Sequence, residues 1–438
     1  MEFKQYPSYK NSGVEWLGDV PDEWDIYPFW HLFNRKEITN KTQEQLLSVY
    51  LDRGVILHSE GGGMVHKPAD NLEKYQLVEV NDFVMNNQQA WRGSVGVSPY
   101  KGIVSPAYLI FSFNKKICAP KFFKYFLRDK GVVDQFMIAS MSVGTIQRQV
   151  KWHLLKTIQL SIPSLIEQNT IANFLDTETA RIDNLISKQE KLIELLEEQR
   201  KSIISHAVTK GLNPNAPMKD SGVEWLGEVP EHWMTPSSKH LLEIPITDGP
   251  HETPNFVDDG VPFISAEAIS KGKIDFDKKR GYITPELNAI YSKKYSPKIE
   301  DIYMVKSGAT TGKVAMVGTT EEFNIWSPLA VFRCNKNKVL PKFLLAVFNS
   351  SHFYDALVLN WSYGTQQNIG MGVLSNIEIP CPPLKEQAEI IQHLDAQNTK
   401  FDKLISTQSQ LIEKLKEYRS SIISHAVTGK IDVREFGA

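Results

Sequence analysis

The sequence of 438 residues has three cysteines, Cys118, Cys334 and Cys381, and none of them forms a Cys-x-x-Cys pair. Scattered cysteines of this kind argue against structural zinc and fit a reducing compartment. No run of about 18 apolar residues occurs, and the first residues, MEFKQYPSYK, lack the apolar core of a signal peptide. We therefore expect a cytoplasmic protein that does not cross a membrane.

Net charge is also nearly absent, at −2 for the whole chain. The charge is uneven, because residues 26–160 carry 17 basic and 10 acidic side chains whereas residues 235–380 carry 15 of each. Local basic patches, not total charge, determine contacts with phosphates, so the small net charge does not exclude nucleic acid. The basic excess of residues 26–160 favours a polyanionic partner.

The most prominent features of the sequence are two long helical patterns. Apolar or long side chains recur at spacings of three and four from Ile182 to Ile204 and again, 219 residues later, from Phe401 to Ile423. Ser164 and Glu167 predict a capping box that starts the first helix, and Gly211 and Gly429 are stop signals. Neither helix can bury its stripe alone. We expect the two to pair antiparallel, because duplicated domains related by a pseudo-twofold axis require it.

A second repeat precedes each half of the chain. SGVEWLGDVP at residues 12–21 returns as SGVEWLGEVP at residues 221–230, followed by Trp24 and Trp233 respectively. A tandem duplication explains this repeat. Its glycines and tryptophans predict a packed docking segment, not a site of chemistry.

The regions between these repeats have mixed secondary structure. The β-branched and apolar runs predict strands and the segments behind Pro120 and Pro341 predict short helices, so the fold class is α/β or mixed α+β. The predicted strands are residues 76–84, 107–113, 301–305 and 329–332, and the predicted helices are residues 121–127 and 342–348.

Two motifs mark the end of each globular region. GTIQ at residues 144–147 leads to IPSLIEQ at residues 162–168, and GTQQ at residues 364–367 leads to IPCPPLKEQ at residues 379–387. With the two repeated helices and two variable domains, the chain resembles the specificity subunit of type I restriction-modification enzymes over nearly its whole length. Small departures are Ile166, Lys385 and the serine at position 164 in place of a usual proline.

The resemblance implies two globular target recognition domains in tandem, separated by two long helices that form an antiparallel coiled coil. The implied segments are an N-terminal docking segment (1–25), the first recognition domain (26–161), the first long helix (162–210), a linker with the repeated docking segment (211–234), the second recognition domain (235–380), the second long helix (381–429) and a tail (430–438).

The resemblance also implies the function of a non-catalytic subunit. Each recognition domain would recognise one half of a bipartite site in double-stranded DNA, and the helices would set the spacer and dock modification subunits, two in number. A motor-nuclease restriction subunit is left open as a further partner. The chain lacks the Asn-Pro-Pro-Tyr or Asp-Pro-Pro-Tyr motif of an amino-methyltransferase and a glycine fingerprint for a methyl donor, so no cofactor and no metal are expected.

Candidate DNA contacts lie in polar loops, because amides, hydroxyls and basic groups suit base edges and phosphates. Residues 308–314 look like a phosphate-binding loop, but one residue is missing between the glycines and Val314 stands where a metal-binding hydroxyl is needed. The candidates are Asn87, Gln88, Gln89, Arg92, Ser94, Thr145, Gln147, Arg148, His251, Thr253, Lys306, Thr310, Thr311, Lys313, Thr365, Gln366 and Gln367.

Two other functions compete with DNA recognition. A coiled-coil scaffold that binds only proteins would explain the helices but not the polar loops or the basic first domain. A self-sufficient methyltransferase or nuclease with a fused recognition domain would require the catalytic motifs that are missing. The same polar loops would have no role beyond solvation if the scaffold hypothesis were correct.

Overall fold

The structure is a computed structural model. It describes residues 3–51, 53–64, 68–143, 147–270, 272–360, 362–363 and 367–436. For residues 62–64, 142–143, 147, 362–363 and 367 the description is of the backbone. Two compact units are present, the first made of Met1–Gln189 with Gln410–Ala438 and the second of Glu190–Ser409. Each unit thus includes part of both long helices.

The first unit is built from short strands followed by helices. Its strands are β1 (Tyr9–Asn11), β2 (Asp19–Pro21), β3 (Asp25–Pro28), β4 (Phe33–Lys36), β5 (Leu47–Tyr50), β6 (Gly54–Leu57), β7 (Gln76–Val78), β8 (Phe83–Asn86), β9 (Val95–Val97), β10 (Gly102–Val104), β11 (Tyr108–Phe113), β12 (Ser140–Val143), β13 (Gln147–Val150) and β14 (Gln159–Ile162). Its helices are α1 (Phe29–Leu32), α2 (Pro120–Phe126), α3 (Lys130–Ile138), α4 (Trp152–Leu155) and the start of α5 (Leu165–Lys210).

The central sheet of the first unit has the strand order β4-β11-β8-β9, with antiparallel neighbours. One face packs on α2 and α3 through a phenylalanine-rich core that includes the fully buried Phe33, Phe83 and Phe111. Aromatic rings bury large apolar areas, so this cluster supplies much of the packing of the unit. The hairpin β12–β13 follows α3 along the chain.

The second unit repeats this order with additions. Its strands are β15 (Met218–Asp220), β16 (Glu228–Pro230), β17 (Thr247–Asp248), β18 (Val261–Ile264), β19 (Ile269–Ser270), β20 (Lys273–Ile274), β21 (Gly281–Ile283), β22 (Ile302–Val305), β23 (Val314–Met316), β24 (Asn324–Ile325), β25 (Leu329–Phe332), β26 (Ser362–Tyr363) and β27 (Gln367–Asn368). Its helices are the end of α5, α6 (Pro285–Tyr291), α7 (Pro341–Phe348), α8 (Ser351–Leu359), α9 (Met371–Asn376) and the start of α10 (Leu384–Val427).

The central sheet of the second unit has the order β17-β25-β22-β23, which matches β4-β11-β8-β9 strand for strand. A second sheet, β21-β18-β24, and helix α6 lie in the longer front half of this unit. The mixed α+β fold class is therefore confirmed, as are the predicted strands at residues 107–113, 301–305 and 329–332 and both predicted short helices, each to within one residue at either end.

One predicted strand was wrong. Residues 76–84 form not one strand but two, because the chain turns between β7 and β8. Asn81 has the left-handed φ of 70°, and the carboxylate of Asp82 accepts a hydrogen bond from the backbone N–H of Glu79 at 2.7 Å. A side chain that satisfies the backbone in this way stabilises a turn against a continuous strand.

The two long helices, α5 and α10, span 46 and 44 residues. Each begins three residues after the start of its predicted segment (162–210 and 381–429), and each ends within two residues of the predicted end. In the first unit the early part of α5 contacts the late part of α10, where Arg419 pairs with Asp183 at 2.8 Å. In the second unit the late part of α5 contacts the early part of α10, where Arg200 pairs with Asp402 at 2.5 Å. Because both helices are continuous, these contacts show that they pair antiparallel. Within the described ranges no helix is apolar and long enough to span a membrane.

Each helix start is anchored by a glutamate and a glutamine. Glu167 Oε1 accepts hydrogen bonds from Trp24 Nε1 at 3.1 Å and from the Tyr6 hydroxyl at 2.6 Å. Glu386 Oε1 accepts from Trp233 Nε1 at 3.1 Å. Both tryptophans are fully buried, so the chain just after each repeated segment is packed within its unit. Half of the predicted capping box forms, since Ser164 Oγ accepts from the N–H of Glu167 at 3.3 Å while the glutamate carboxylate binds Trp24 and Tyr6.

The neighbouring glutamines hold the short helices. Gln168 Oε1 accepts from the N–H of Ala119 at 2.7 Å, just before α2, and Gln387 Oε1 accepts from the N–H of Leu340 at 2.8 Å, just before α7. Both amides also donate to backbone carbonyls and are fully buried. A buried amide with all its groups paired fixes the local geometry, because an unpaired group there would cost about 1 to 3 kcal/mol.

Candidate nucleic-acid interface

In the second unit the loop between β22 and β23, residues 306–313, lies at one end of the central sheet. Gly308 and Gly312 have left-handed φ values of 104° and 88°, which let the eight residues turn back tightly. Thr311 is buried, and its hydroxyl donates to the Gly308 carbonyl at 2.6 Å, so this side chain stabilises the loop itself. Lys313 is exposed and Thr310 is half-buried.

A buried carboxylate lies beside this loop. Asp248, at the end of β17, is 1% exposed and is surrounded by three basic side chains. Its Oδ1 is 2.6 Å from Lys294 Nζ, and its Oδ2 is 3.2 Å from Lys306 Nζ and 3.1 Å from His251 Nε2. Burial alone would raise the pKa of Asp248, but the hydrogen bonds and charges of Lys294 and Lys306 outweigh it and leave the pKa below its ordinary value.

Close backbone packing places His251 beside this carboxylate. At Gly249 an added Cβ would lie 2.0 Å from the carbonyl oxygen of Ile325, so the approach requires glycine here. The turn is held further by Ser327 N–H donating to the Pro250 carbonyl at 3.2 Å and by Trp326 Nε1 donating to the Glu252 carbonyl at 3.1 Å. Thr253 is exposed in the same loop.

The hairpin β26–β27 joins the loop at residues 306–313. The N–H of Ile369 donates to the carbonyl of Lys306 at 2.8 Å, and Ser307 forms a β-bridge with Asn368. Thr365 and Gln366 lie outside the described residues, and Gln367 is described in its backbone, within β27. The structure therefore places the hairpin strands next to Lys306 and Ser307.

The first unit has the equivalent loop between β8 and β9, residues 87–94, also eight residues long. Gln88 and Gln89 are half-buried, Arg92 is exposed with its guanidinium 5.1 Å from the Trp91 ring, and Trp91 Nε1 donates to the Gln88 carbonyl at 3.0 Å. Ser94 is buried and its hydroxyl donates to the Val49 carbonyl at 3.1 Å, so it supports the loop from inside.

The hairpin β12–β13 meets this loop as β26–β27 meets the other. The N–H of Val150 donates to the carbonyl of Asn87 at 3.3 Å, and the side-chain oxygen of Asn87 is buried without a hydrogen-bond partner among the described residues. Arg148 is half-buried, and its guanidinium donates to the Met137 carbonyl at 3.4 Å. Thr145 lies outside the described residues, and Gln147 is described in its backbone, within β13.

Comparison with known proteins identifies the family. Residues 230–417 match the family model described as a type I restriction modification DNA specificity domain. The chain is 25% identical to the type I restriction enzyme MjaVIII specificity subunit of Methanocaldococcus jannaschii, over 95% of this chain and 94% of the relative. It is 23% identical to the EcoBI specificity subunit of Escherichia coli, over 67% of this chain and 63% of that protein. The chain is therefore similar to type I restriction-modification specificity subunits along nearly its whole length.

Solved structures agree on the fold of these specificity subunits. A chain from a structure of a type I R-M system superposes with a TM-score of 0.66 at 16% identity, covering 93% of this chain and 98% of the other. The HsdS subunit from Thermoanaerobacter tengcongensis superposes with a TM-score of 0.53 at 16% identity, covering 94% and 98%. The predicted family and the predicted architecture are confirmed.

Two residues beside the loop at residues 306–313, Lys294 and Asp248, are not among the candidates predicted from the sequence. Lys294 is 46 residues from Asp248 in sequence, and no local motif connects them. Asp248 belongs to the DGPHETP stretch at residues 248–254, but a buried carboxylate there is not an obvious DNA contact. A buried carboxylate needs basic partners, and this requirement is the feature that could have led from Asp248 to Lys294.

Possible metal ligands and thiols in the described part of the chain are the remaining reactive side chains. No group of three or more His, Cys, Asp or Glu side chains there is arranged to hold a metal ion. All three cysteines are free and buried, and burial raises the pKa of both Cys118 and Cys334 to about 12, which keeps these thiols protonated and unreactive.

Proposed function

We propose that this chain is the DNA sequence-recognition subunit of a type I restriction-modification complex, with residues 26–161 and 235–380 each recognising one half of a bipartite target. The observation that carries the proposal is the equivalence of the two loop and hairpin pairs. In both units an eight-residue loop follows the corresponding central strand and accepts a hydrogen bond from a hairpin strand, while the loop side chains differ. A constant frame with variable polar loops is suited to recognising two different base sequences.

The contacts divide by chemistry. Gln88 and Gln89 in the first loop have amides able to pair with adenine, whereas Arg92, His251, Lys306 and Lys313 suit guanine or phosphate oxygens. Thr310, Thr253 and Arg148 are further contacts. The hairpin residues Thr145, Gln147, Thr365, Gln366 and Gln367 complete the two sites on sequence grounds. Ser94 and Thr311 act within their loops, because their hydroxyls bind backbone carbonyls.

The partners are DNA and the other subunits of a restriction-modification system. We assign docking of two modification subunits to the paired helices, where Leu192, Leu195 and Leu404 of the second unit keep 39%, 49% and 46% of their surface exposed. Methylation belongs to those subunits and cleavage to a motor-nuclease subunit if one is present. The complex acts in the cytoplasm. A protein-binding scaffold would explain the helices but not the matched polar loops.

A test of half-site recognition compares matched loop variants. The chain is combined with its modification subunits, a library of random DNA is methylated, and the modified sites are sequenced. Replacing Gln88 and Gln89 with alanine should relax the first half-site alone, and replacing Thr310 and Lys313 should relax the second alone. Each good base contact contributes about 1 to 3 kcal/mol, so two lost contacts are easily detected.

The control variant for that test is Lys336→Ala. Lys336 is exposed and pairs with Glu300, just before the other end of strand β22, so its loss should leave both half-sites intact. If a loop variant weakens both half-sites equally, the loop positions the protein on DNA and does not select bases. If the parent complex shows no sequence preference at all, the chain is not a recognition subunit.

We also propose that the length of the paired helices sets the unrecognised spacer. Inserting one heptad after Gln189 and another after Gln408 keeps the apolar stripes in phase and lengthens each helix by about 10 Å. The methylated sites should then keep both half-site sequences and gain about one to three base pairs between them, at roughly 3.4 Å per pair. A folded variant that still marks the original spacing would contradict this role of the helices.

A further inference from the structure

The cluster around Asp248 has more positive charge than its own carboxylate can neutralise. One buried carboxylate contacts two lysines and a histidine, so the cluster has a net charge of +1 with neutral His251 and +2 with protonated His251. In a structure that paired charges only for stability, a single lysine would be enough, because each added cation near the first costs repulsion. The surplus charge indicates an anionic ligand.

Exposure increases from the carboxylate outward. Asp248 is 1% exposed and the Lys306 side chain 13%, whereas the side chains of Lys294 and His251 are 51% and 72% exposed. Lys294 Nζ has three N–H groups and meets two acceptors here, Asp248 Oδ1 at 2.6 Å and the Gly249 carbonyl at 3.4 Å. A donor therefore remains for a ligand in solvent, beside the loop that starts at Lys306.

The first unit has an acidic residue in the same position but no such cluster. Asp248 lies opposite Ala330 of β25, one residue beyond Thr247. By the matched register, Thr247 corresponds to Lys36 of β4, so Asp248 corresponds to Glu37. The Glu37 side chain is 69% exposed and its ion pair is a 3.6 Å contact with Arg35. Glu37 thus provides a natural control for the charge at this position.

We propose that Asp248 is a positioning residue that holds Lys294 and His251 as a binding site for a DNA phosphate next to the second recognition loop. The inference rests on the proposed function, since it specifies how the second unit holds the DNA backbone. An aspartate at a DNA surface should by simple electrostatics weaken binding. Asp248 does the opposite, because its buried charge restricts the flexible side chains of Lys294 and His251 to one geometry and lowers the entropy lost on binding.

The experiment measures the affinity of the complete complex for a duplex that contains its methylated target, over a range of salt concentrations. Asp248→Asn should weaken binding about tenfold and lower the salt slope by roughly 1, because a lysine–phosphate contact is lost. Lys294→Met should do the same, and the double variant should be little worse than either single variant. Glu37→Gln should bind DNA as tightly as the parent or slightly more tightly, since it removes a negative charge and positions nothing.

A second measurement locates the phosphate. Duplexes with one neutral methylphosphonate at successive positions of the second half-site should reveal a position where the parent complex loses affinity but Lys294→Met and Asp248→Asn lose none. Asp248→Asn binding as tightly as the parent with an unchanged salt slope would overturn the proposal. If Asp248→Asn does not fold, the DNA affinity of Lys294→Met tests the proposal instead, because the Lys294 side chain is half-exposed. Binding by Lys294→Met as tight as that of the parent would reject the phosphate site. Failure of the parent itself to bind DNA would reject the proposed function instead.

Discussion

The two recognition loops show how one scaffold supports different surfaces. Both loops have eight residues and connect equivalent strands, yet residues 87–94 present amides, a tryptophan and an arginine, and residues 306–313 present small hydroxyl residues between two lysines. The residues that build the scaffold are instead repeated. A buried tryptophan bound to a glutamate, and a buried glutamine before each short helix, occur in both units. Duplication has kept the packing and changed the loops.

Both units have a buried aspartate at the same position, and a different basic side chain neutralises it in each unit. Asp82 precedes β8 and Asp301 precedes β22, so they occupy matching places away from the loops. Lys36 of β4 pairs with Asp82, whereas Arg333, just after β25, pairs with Asp301 through Nε at 2.8 Å and Nη2 at 2.7 Å. The aspartate is therefore common to both units, whereas its basic partner comes from a different strand in each unit.

The largest effect should follow loss of the repeated tryptophans. Trp24→Ala and Trp233→Ala each leave a large cavity and remove one hydrogen bond from a glutamate, and each should lower the unfolding free energy of its own unit by about 3 to 5 kcal/mol. Hydrogen exchange, followed separately in the two units, measures this loss. Trp30→Ala is the control, because Trp30 is 55% exposed and its loss should change stability by less than about 0.5 kcal/mol. Equal loss of protection in both units from either variant would show that they do not unfold separately.

A smaller and unequal effect should separate the two aspartates. Asp301→Asn should destabilise the second unit by about 3 kcal/mol, because it leaves Arg333 buried without a full charge partner and weakens the bonds from Tyr295 and Lys298. Asp82→Asn should cost the first unit about 1 to 2 kcal/mol, since it has fewer partners. Denaturant unfolding monitored in each unit measures both.

The matched control for these variants removes both partners of the second pair. Asp301→Asn combined with Arg333→Met should recover part of the stability, because a buried pair replaced as a whole costs less than a pair that is broken. The expectation fails if Asp82→Asn is as costly as Asp301→Asn.

The smallest expected effect is a pH dependence that distinguishes Asp248 from Glu37. The lowered pKa of Asp248 means that its ion pairs stabilise the folded state fully above the ordinary carboxyl pKa of about 4 and progressively less as pH falls through the lowered value. The parent should therefore exceed Asp248→Asn in stability by roughly 2 kcal/mol at pH 6, and the difference should shrink as pH falls through the lowered pKa of Asp248. Unfolding by denaturant at several pH values measures it.

Glu37→Gln should show almost no stability difference from the parent at any of these pH values, because its carboxylate is exposed and its ion pair is long. If the difference in unfolding free energy between the parent and Asp248→Asn is the same from pH 6 to pH 2, the shape of the Asp248 side chain and not its charge stabilises the fold. That outcome would remove the physical basis for the positioning role of this carboxylate.

Several features of the fold were predictable because their signals are local. The helical stripes and the stop glycines Gly211 and Gly429 placed both long helices to within three residues at each end. Trp24 and Trp233, which follow the repeated SGVEWLG segments, are fully buried, as expected of large aromatic side chains in a repeated frame. Periodicity, stop signals and repetition depend on neighbouring residues, so the sequence by itself determined these features.

Other features were decided by the tertiary structure alone. Glu167 binds Trp24 and Tyr6, which are 143 and 161 residues away, in place of its own helix cap, and Asp248 meets Lys294 across 46 residues. Ser94 and Thr311 turn inward because nearby carbonyls need donors. A buried polar group binds whichever partner the packed chain brings within hydrogen-bond distance, and burial makes that choice energetically decisive. No local sequence pattern encodes the choice of partner for a buried polar group. The polar loops could therefore be predicted from the sequence, whereas the buried groups that pair with their charged side chains could not.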